Sequence, residues 1–292
     1  MIKATKGEKT FDIFNIMLMI ILMIITLYPM YYVVIASLSD NSLLIAEPGI
    51  ITKPLGFTTG AYKLAFRHPL LMNGYKNILF ILAVGLPINI VMTVFCGYFM
   101  ASKDAMLKKI LIPFFMFTMF FSGGMIPGFL NIQDLGLYDS IWSLILPGSV
   151  SVYNAIITKT AIEAIPESLV ESAYIDGAQD LTILFKIIIP LIKSTIAVLL
   201  LYYGVGHWNS WFTATIYIKD QTKLPLQPIL RSLLIADSDI LNSTAVSGDD
   251  VNSYAETIKY AAIVISTVPI LMVYPFLQKY FMKGVMIGAV KG

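Results

Sequence analysis

Charge is scarce in this chain: 20 Lys and Arg and 18 Asp and Glu make up only 13% of its 292 residues, about half the share in ordinary soluble domains. Histidine occurs twice, at positions 68 and 207, and cysteine once, as Cys96. A lone cysteine excludes an internal disulfide and a thiolate metal cage, and two histidines so far apart form no H-E-x-x-H zinc site. The phosphate-cradling pattern G-x-x-x-x-G-K-[ST] is absent, since Lys6-Gly-Glu-Lys-Thr10 lacks the first glycine and the spacing. No serine stands in a G-x-S-x-G elbow. A net charge of +2 gives no dense basic face for nucleic acid. These absences point away from an enzyme and from a chain that itself binds ATP, a metal or a cofactor.

What fills the chain instead is apolar: 57% of residues are hydrophobic and the mean hydropathy is +0.78. So much apolar surface cannot be hidden in a core of this size, which predicts an all-α integral membrane protein. A crossing helix needs about 20 apolar residues and tolerates few ionised groups. Six stretches lack Asp, Glu, Lys and Arg for long enough: Ile13–Ser39, Asn77–Ser102, Ile110–Gln133, Ser140–Thr158, Ser194–Ile218 and Tyr260–Gln278. The basic start and first apolar run also resemble a signal peptide, but that run is roughly twice the usual 7–15 residues. Segments 1–12, 103–109, 159–193 and 279–292 hold 12 basic residues, and the longer opposite segments 40–76, 134–139 and 219–259 hold 8. The positive-inside rule then places both termini in the cytoplasm. The expected organisation is a cytoplasmic N-terminus and peripheral first helix over 1–39, an extracellular segment over 40–76, a core over 77–278 and a cytoplasmic tail over 279–292. Proline falls in five of the six stretches, which suits kinked helices that pack on protein or line a path, and equally the greater frequency of proline in membrane helices generally.

One cytoplasmic segment, 161–192, is too long for a connector and too apolar for a tail. Pro166 suits the start of a helix, with Glu167 and Glu171 in its early turns where carboxylates favour the helix dipole. Asp176-Gly177 is a break, and a second amphipathic helix follows with Leu181, Leu184, Phe185 and Ile188 on one stripe, ending at Pro190. The pattern predicts a short helix–turn–helix at the inner face of the membrane, the alternative being an amphipathic helix that lies on lipid.

These residues carry a resemblance. Glu171-Ser172-Ala173, Gly177 six residues after the glutamate, Ile187 ten further on, and Ile189-Pro190 resemble the coupling loop of binding-protein-dependent ABC importer permeases. The surrounding run from Pro166 to Ala178 is similar to the carbohydrate-uptake, maltose (MalG) type. Gly204-Val-Gly-His-Trp-Asn-Ser-Trp-Phe212 and the ending Gly288-Ala-Val-Lys-Gly292 resemble its oligosaccharide-permease branch. Ser172 in place of alanine, Ile189 in place of leucine and Ser194 in place of a second proline are mild departures. The resemblance implies a type I ABC importer permease fold. It implies as partners a second homologous permease, two ATP-binding cassette subunits that hold ATP and Mg, and an extracellular sugar-binding lipoprotein. It gives the ATPase-coupling role to Glu171, Ser172, Ala173, Asp176, Gly177, Ile187 and Pro190, and a tail contact with the ATPase to Lys291 and Gly292.

Tyr202, Tyr203, His207, Trp208, Asn209, Trp211 and Phe212 crowd the fifth stretch. Aromatic faces stack on sugar C–H faces, while Asn and His exchange hydrogen bonds with hydroxyls. Tyr203, His207, Trp208, Asn209 and Trp211 are therefore candidates for the translocation path of an oligosaccharide. Interfacial anchoring or helix packing would explain the same residues. The same machine carrying peptides, amino acids or ions is the nearest rival. An ion-coupled transporter or membrane-embedded enzyme would need ionised groups near the midplane, and no Asp, Glu, Lys or Arg falls in any of the six stretches.

Overall fold

The computed structural model describes residues 6–47, 49–67, 69–103, 105–235, 256–273 and 275. Among them every regular element is helical. The chain divides into two compact units, Met1–Pro69 with Ser232–Val268, and Leu70–Arg231 with Pro269–Gly292.

In the first unit, helix α1 (Lys6–Ser37) is apolar around its whole circumference. It is exposed along nearly all its length, and only its last turn, Ile35, Ala36 and Ser37, is buried. Such a surface needs lipid or another protein chain to cover it. The short helix α2 (Asn41–Ala46) starts where the Asp40 carboxylate accepts the Ser42 and Leu43 amides, and α3 spans Gly60–Arg67. Ile35, Ala36, Leu44 and Ile51 form a small core flanked by Tyr32, Leu55 and Tyr260.

The second unit is built on α4 (Pro69–Ala101), 33 residues that run through Pro87. At 1.5 Å per residue this is roughly 50 Å, well beyond the hydrocarbon thickness. Gly97 lets α7 (Val152–Glu163) approach it, since a Cβ there would lie 2.6 Å from the Thr158 side chain. Between them run α5 (Lys108–Phe120) and α6 (Met125–Asp134). After α7 come α8 (Glu167–Ile175), α9 (Asp180–Leu191), α10 (Lys193–Trp208), α11 (Trp211–Tyr217) and α12 (Leu226–Ile235). The final described helix, α13 (Glu256–Val273), falls mostly in the first unit, where its first amides, those of Glu256 and Thr257, are capped by the Asn41 side-chain oxygen at 3.1 and 3.3 Å.

The first, second and sixth expected spans coincide with the single helices α1, α4 and α13, which are long and apolar enough to cross a membrane. The other three are not continuous helices. Ile110–Gln133 is broken at Ser122-Gly123-Gly124, where Gly124 takes φ +90° and the chain turns by 117° between α5 and α6. Ser140–Thr158 holds one 3-10 turn, Ile141–Leu144, then a non-helical stretch around Pro147-Gly148, and only then α7. Ser194–Ile218 is interrupted at Asn209-Ser210 between α10 and α11. Counting each bent pair as one span gives five candidate spans. The expected C-terminal contact residues Lys291 and Gly292, and the last five residues of the sixth expected span apart from Pro275, lie outside the described residues.

Candidate functional site

The segment 161–192 folds as the helix–turn–helix its sequence predicts. Pro166 precedes α8 with φ −56°, and Asp176 closes it. Gly177 at φ +79° reverses the chain before α9, a backbone conformation that costs a side-chain-bearing residue about 1–3 kcal/mol. Its hydrogen bonds are those of a helix stop: the Gly177 amide donates to Tyr174 O and the Ala178 amide to Ala173 O.

The second helix departs from expectation. It ends at Leu191, within one residue of the expected Pro190, but residues Leu184–Ile188 widen into a π turn, which eases the clash a proline ring otherwise makes with the carbonyl four residues back. The chain then bends by 82° into α10. The widened turn also shifts the buried face. Ile183, Leu184, Ile188 and Ile192 are buried, whereas Leu181 and Phe185 stay exposed.

Those four residues join Val94 of α4, Ile162 of α7 and Ala173 of α8 in one apolar core. Ala173, one of the small residues of the proposed coupling motif, therefore points inward, and Ile187 packs against the same core. Glu171, Ser172, Asp176, Gly177 and Pro190 are exposed. So is Ile175, at 86% the most exposed apolar side chain of the whole chain's described residues. Two hydroxyls converge on Asp180 Oδ1, Tyr174 from α8 and Tyr98 from α4, the latter at 3.4 Å. Donating to that carboxylate holds the Tyr174 phenol above its ordinary pKa. Lys103, just beyond α4, forms an ion pair with Glu167 at the start of α8. Tyr98, Tyr174 and Asp180 escaped the sequence reading because their meeting depends on how α4 lies against the loop. They line a cavity of about 600 Å³ with Phe95, Phe99 and Ser102.

The candidate path residues separate into two groups. Tyr203 and His207, buried, are locked into α10's packing. The Tyr203 hydroxyl lies 2.6 Å from Thr93 Oγ1 and accepts the Ser151 amide at 2.9 Å. Asn89 donates its amide to Gly148 O and Ser149 O, which turns its Oδ1 towards His207 Nε2 at 2.8 Å, so Nε2 carries the proton. Asn89 and Thr93 are both fully buried. Together they tie α4 and α10 to the unwound Pro147–Ser151 backbone, whose polar groups need partners at membrane depth. Beside them lies a cavity of about 390 Å³ whose lining includes Ser143, Gly148, Tyr202, Tyr203, His207 and Tyr217.

Trp208 is also buried, edge-on to Tyr75, and among the described residues its indole N–H has no hydrogen-bond acceptor. Asn209, Trp211 and Phe212 are exposed around the break between α10 and α11. Further along, Asp139, at φ +56°, accepts the Lys219 and Asp220 amides and the Lys223 ammonium, fastening the turn after α6 to the turn after α11. Those donors hold the Asp139 carboxyl below the usual carboxylate range.

Residues 54–287 match the family described as "binding-protein-dependent transport system inner membrane component". The chain is 40% identical over 99% of its length to protein LplC of Bacillus subtilis, covering 97% of that protein. It is 36% identical over 98% of its length to the polygalacturonan/rhamnogalacturonan transport system permease protein YtcP of Bacillus subtilis, covering 99% of it. Among solved structures, a chain of a bacterial ABC transporter involved in the import of the acidic polysaccharide alginate superimposes with a TM-score of 0.87 at 28% identity, covering 96% of this chain and 100% of that one. An elbowed helix pair exposed on a core of apolar helices, in a chain that matches this family over residues 54–287 and a transport system permease protein over 98% of its length, identifies this protein as a member of the binding-protein-dependent transport system inner membrane components.

Proposed function

We propose that this chain is one of two permease subunits of an ATP-driven importer for oligosaccharides, delivered by an extracellular binding protein. YtcP and the alginate importer are both named for acidic polysaccharides, which favours a sugar over peptides, amino acids or ions and suggests a cargo bearing carboxylates. ATP and Mg belong on the separate ATPase subunits. In this reading the chain crosses the membrane six times with both termini cytoplasmic. The third, fourth and fifth crossings are the broken segments 108–134, 140–163 and 193–218.

The observation that carries the proposal is the Gly177 elbow, exposed on one side and seated on the Ile183–Ile188 core on the other. A surface helix held this way moves as a body with α4, α7 and α10. Pushing on Glu171, Ser172 and Ile175 from the cytoplasm would therefore reorient membrane helices rather than deform the loop. Exposed Glu171 offers a charge-assisted hydrogen bond to an ATPase cleft, and exposed Ser172 permits close approach.

The test is uptake by proteoliposomes containing this chain, its partner permease, the ATPase pair and the binding protein. ATP inside the vesicles should drive accumulation of galacturonate oligosaccharides. Accumulation without ATP, or of no saccharide at all, would contradict the proposal.

A further inference from the structure

Arginine occurs twice among the 20 basic residues, at positions 67 and 231. Arg231 lies on α12, whose opposite stripe, Leu226, Ile229, Leu230 and Leu233, is buried. Its guanidinium carbon sits 3.5 Å from the centre of the Trp211 indole ring. Trp211 in turn is edge-on to Phe212, with ring centroids 5.4 Å apart. Both members of the cation–π pair are exposed, and among the described residues no carboxylate lies within ion-pair distance of Arg231.

This geometry has a chemical consequence. Stacking on the indole fixes the plane of the guanidinium and leaves the N–H groups at its edge directed away from the ring. A fixed planar fork of donors matches a carboxylate, which accepts two parallel charge-assisted hydrogen bonds. The surroundings are unsuited to lipid: the neighbouring break leaves Asn209 exposed, and interrupted backbone with an arginine beside it belongs against protein or water. Lys223, twelve residues after Trp211 towards the outer turn, has its ammonium tied to the Asp139 carboxylate and is not offered in the same way.

We infer that Arg231, held flat on Trp211, is a specificity-determining residue that binds the carboxylate of an anionic sugar, a uronate, as it enters from the outer side. The inference rests on the reading of the chain as a saccharide importer and goes beyond it by naming the residue that reads the charge. The aromatic partner keeps the fork rigid, so little conformational entropy is lost when the carboxylate arrives. A neutral sugar of the same linkage gains nothing from the fork.

The experiment compares trigalacturonate with its carboxyl-reduced, neutral counterpart in proteoliposomes holding the complete importer and its binding protein. With Arg231→Gln, trigalacturonate uptake at limiting concentration should fall by about tenfold or more, while uptake of the reduced trisaccharide is unchanged. Arg231→Lys, which keeps the charge but loses the fork, should fall in between, and Trp211→Leu should lower trigalacturonate uptake at least as much as Arg231→Lys. Equal loss for both saccharides, as an arginine anchoring lipid headgroups or the partner permease would give, overturns the inference, and so does no loss for either. The retained uptake of the reduced trisaccharide reports that the variants fold and assemble. If the wild-type importer takes up neither saccharide, the saccharide reading itself fails; if it takes up both and Arg231→Gln does not discriminate, only the role of Arg231 fails.

Discussion

The cytoplasmic elbow and the aromatic segment of α10 and α11 are stabilised in opposite ways. The elbow is held from behind by apolar packing, through Ala173, Ile183, Leu184 and Ile188, and presents its polar residues outward. The aromatic segment holds Tyr203 and His207 inward with hydrogen bonds to Thr93, Ser151 and Asn89, and leaves Tyr202, Asn209, Trp211 and Phe212 outward. The difference teaches that a polar residue in an apolar run is not by itself a residue for cargo. His207 satisfies Asn89, whereas Asn209, two positions later, has its side chain in the open. In the elbow the outward residues are the ones available for work, and in the aromatic segment the same rule removes Tyr203 and His207 from direct contact unless the neighbouring cavity opens.

This contrast can be broken by substitution. The largest effect is expected at the elbow. Gly177→Val adds about 1–3 kcal/mol of backbone strain at φ +79° and should lower ATP-driven uptake more than about tenfold, with the membrane helices still folded. Comparing uptake with thermal stability in detergent checks this; wild-type uptake would show that the elbow's angle does not matter. Next comes His207→Leu, which leaves Asn89 Oδ1 buried without a donor and should cost about 1–3 kcal/mol of stability, read as a lowered melting temperature. The smallest structural effect belongs to Asn209→Ala, which should leave the melting temperature unchanged and slow sugar uptake a few-fold. If His207→Leu proves as stable as wild type and Asn209→Ala unfolds the chain, the division between packed and open residues is mistaken.

The elbow was legible in the sequence because its determinants are local. Pro166, Glu167 and Asp176-Gly177 start and stop helices through their own dihedral preferences and charges, within a few residues of where they stand. The helix breaks inside the third, fourth and fifth stretches were less visible, because counting gaps between charges treats an apolar run as one rod. The signals were nevertheless present in Ser122-Gly123-Gly124, Pro147-Gly148 and Asn209-Ser210, each supplying a residue that leaves helical geometry at little cost. The π turn before Pro190 was hidden for another reason: it depends on packing against Val94 and Ile162, and no spacing rule announces it. The same holds for the Tyr98–Asp180–Tyr174 cluster and for Arg231 on Trp211, where partners are separated by 82 and by 20 positions and only the folded chain brings them together. Long-range pairs of this kind are where most of the chemistry outside the coupling loop resides.

The central claim is that the outward face of the elbow is gripped by the ATP-hydrolysing subunit. Its most direct test is Ile175→Cys, at the most exposed apolar side chain among the described residues, introduced into an importer in which Cys96 has been replaced by serine. Short bifunctional cross-linkers should join position 175 to the ATPase subunit in the assembled complex, and the yield should change on adding ATP. A cross-link that never forms, or labelling of this cysteine from outside intact cells, would contradict the account.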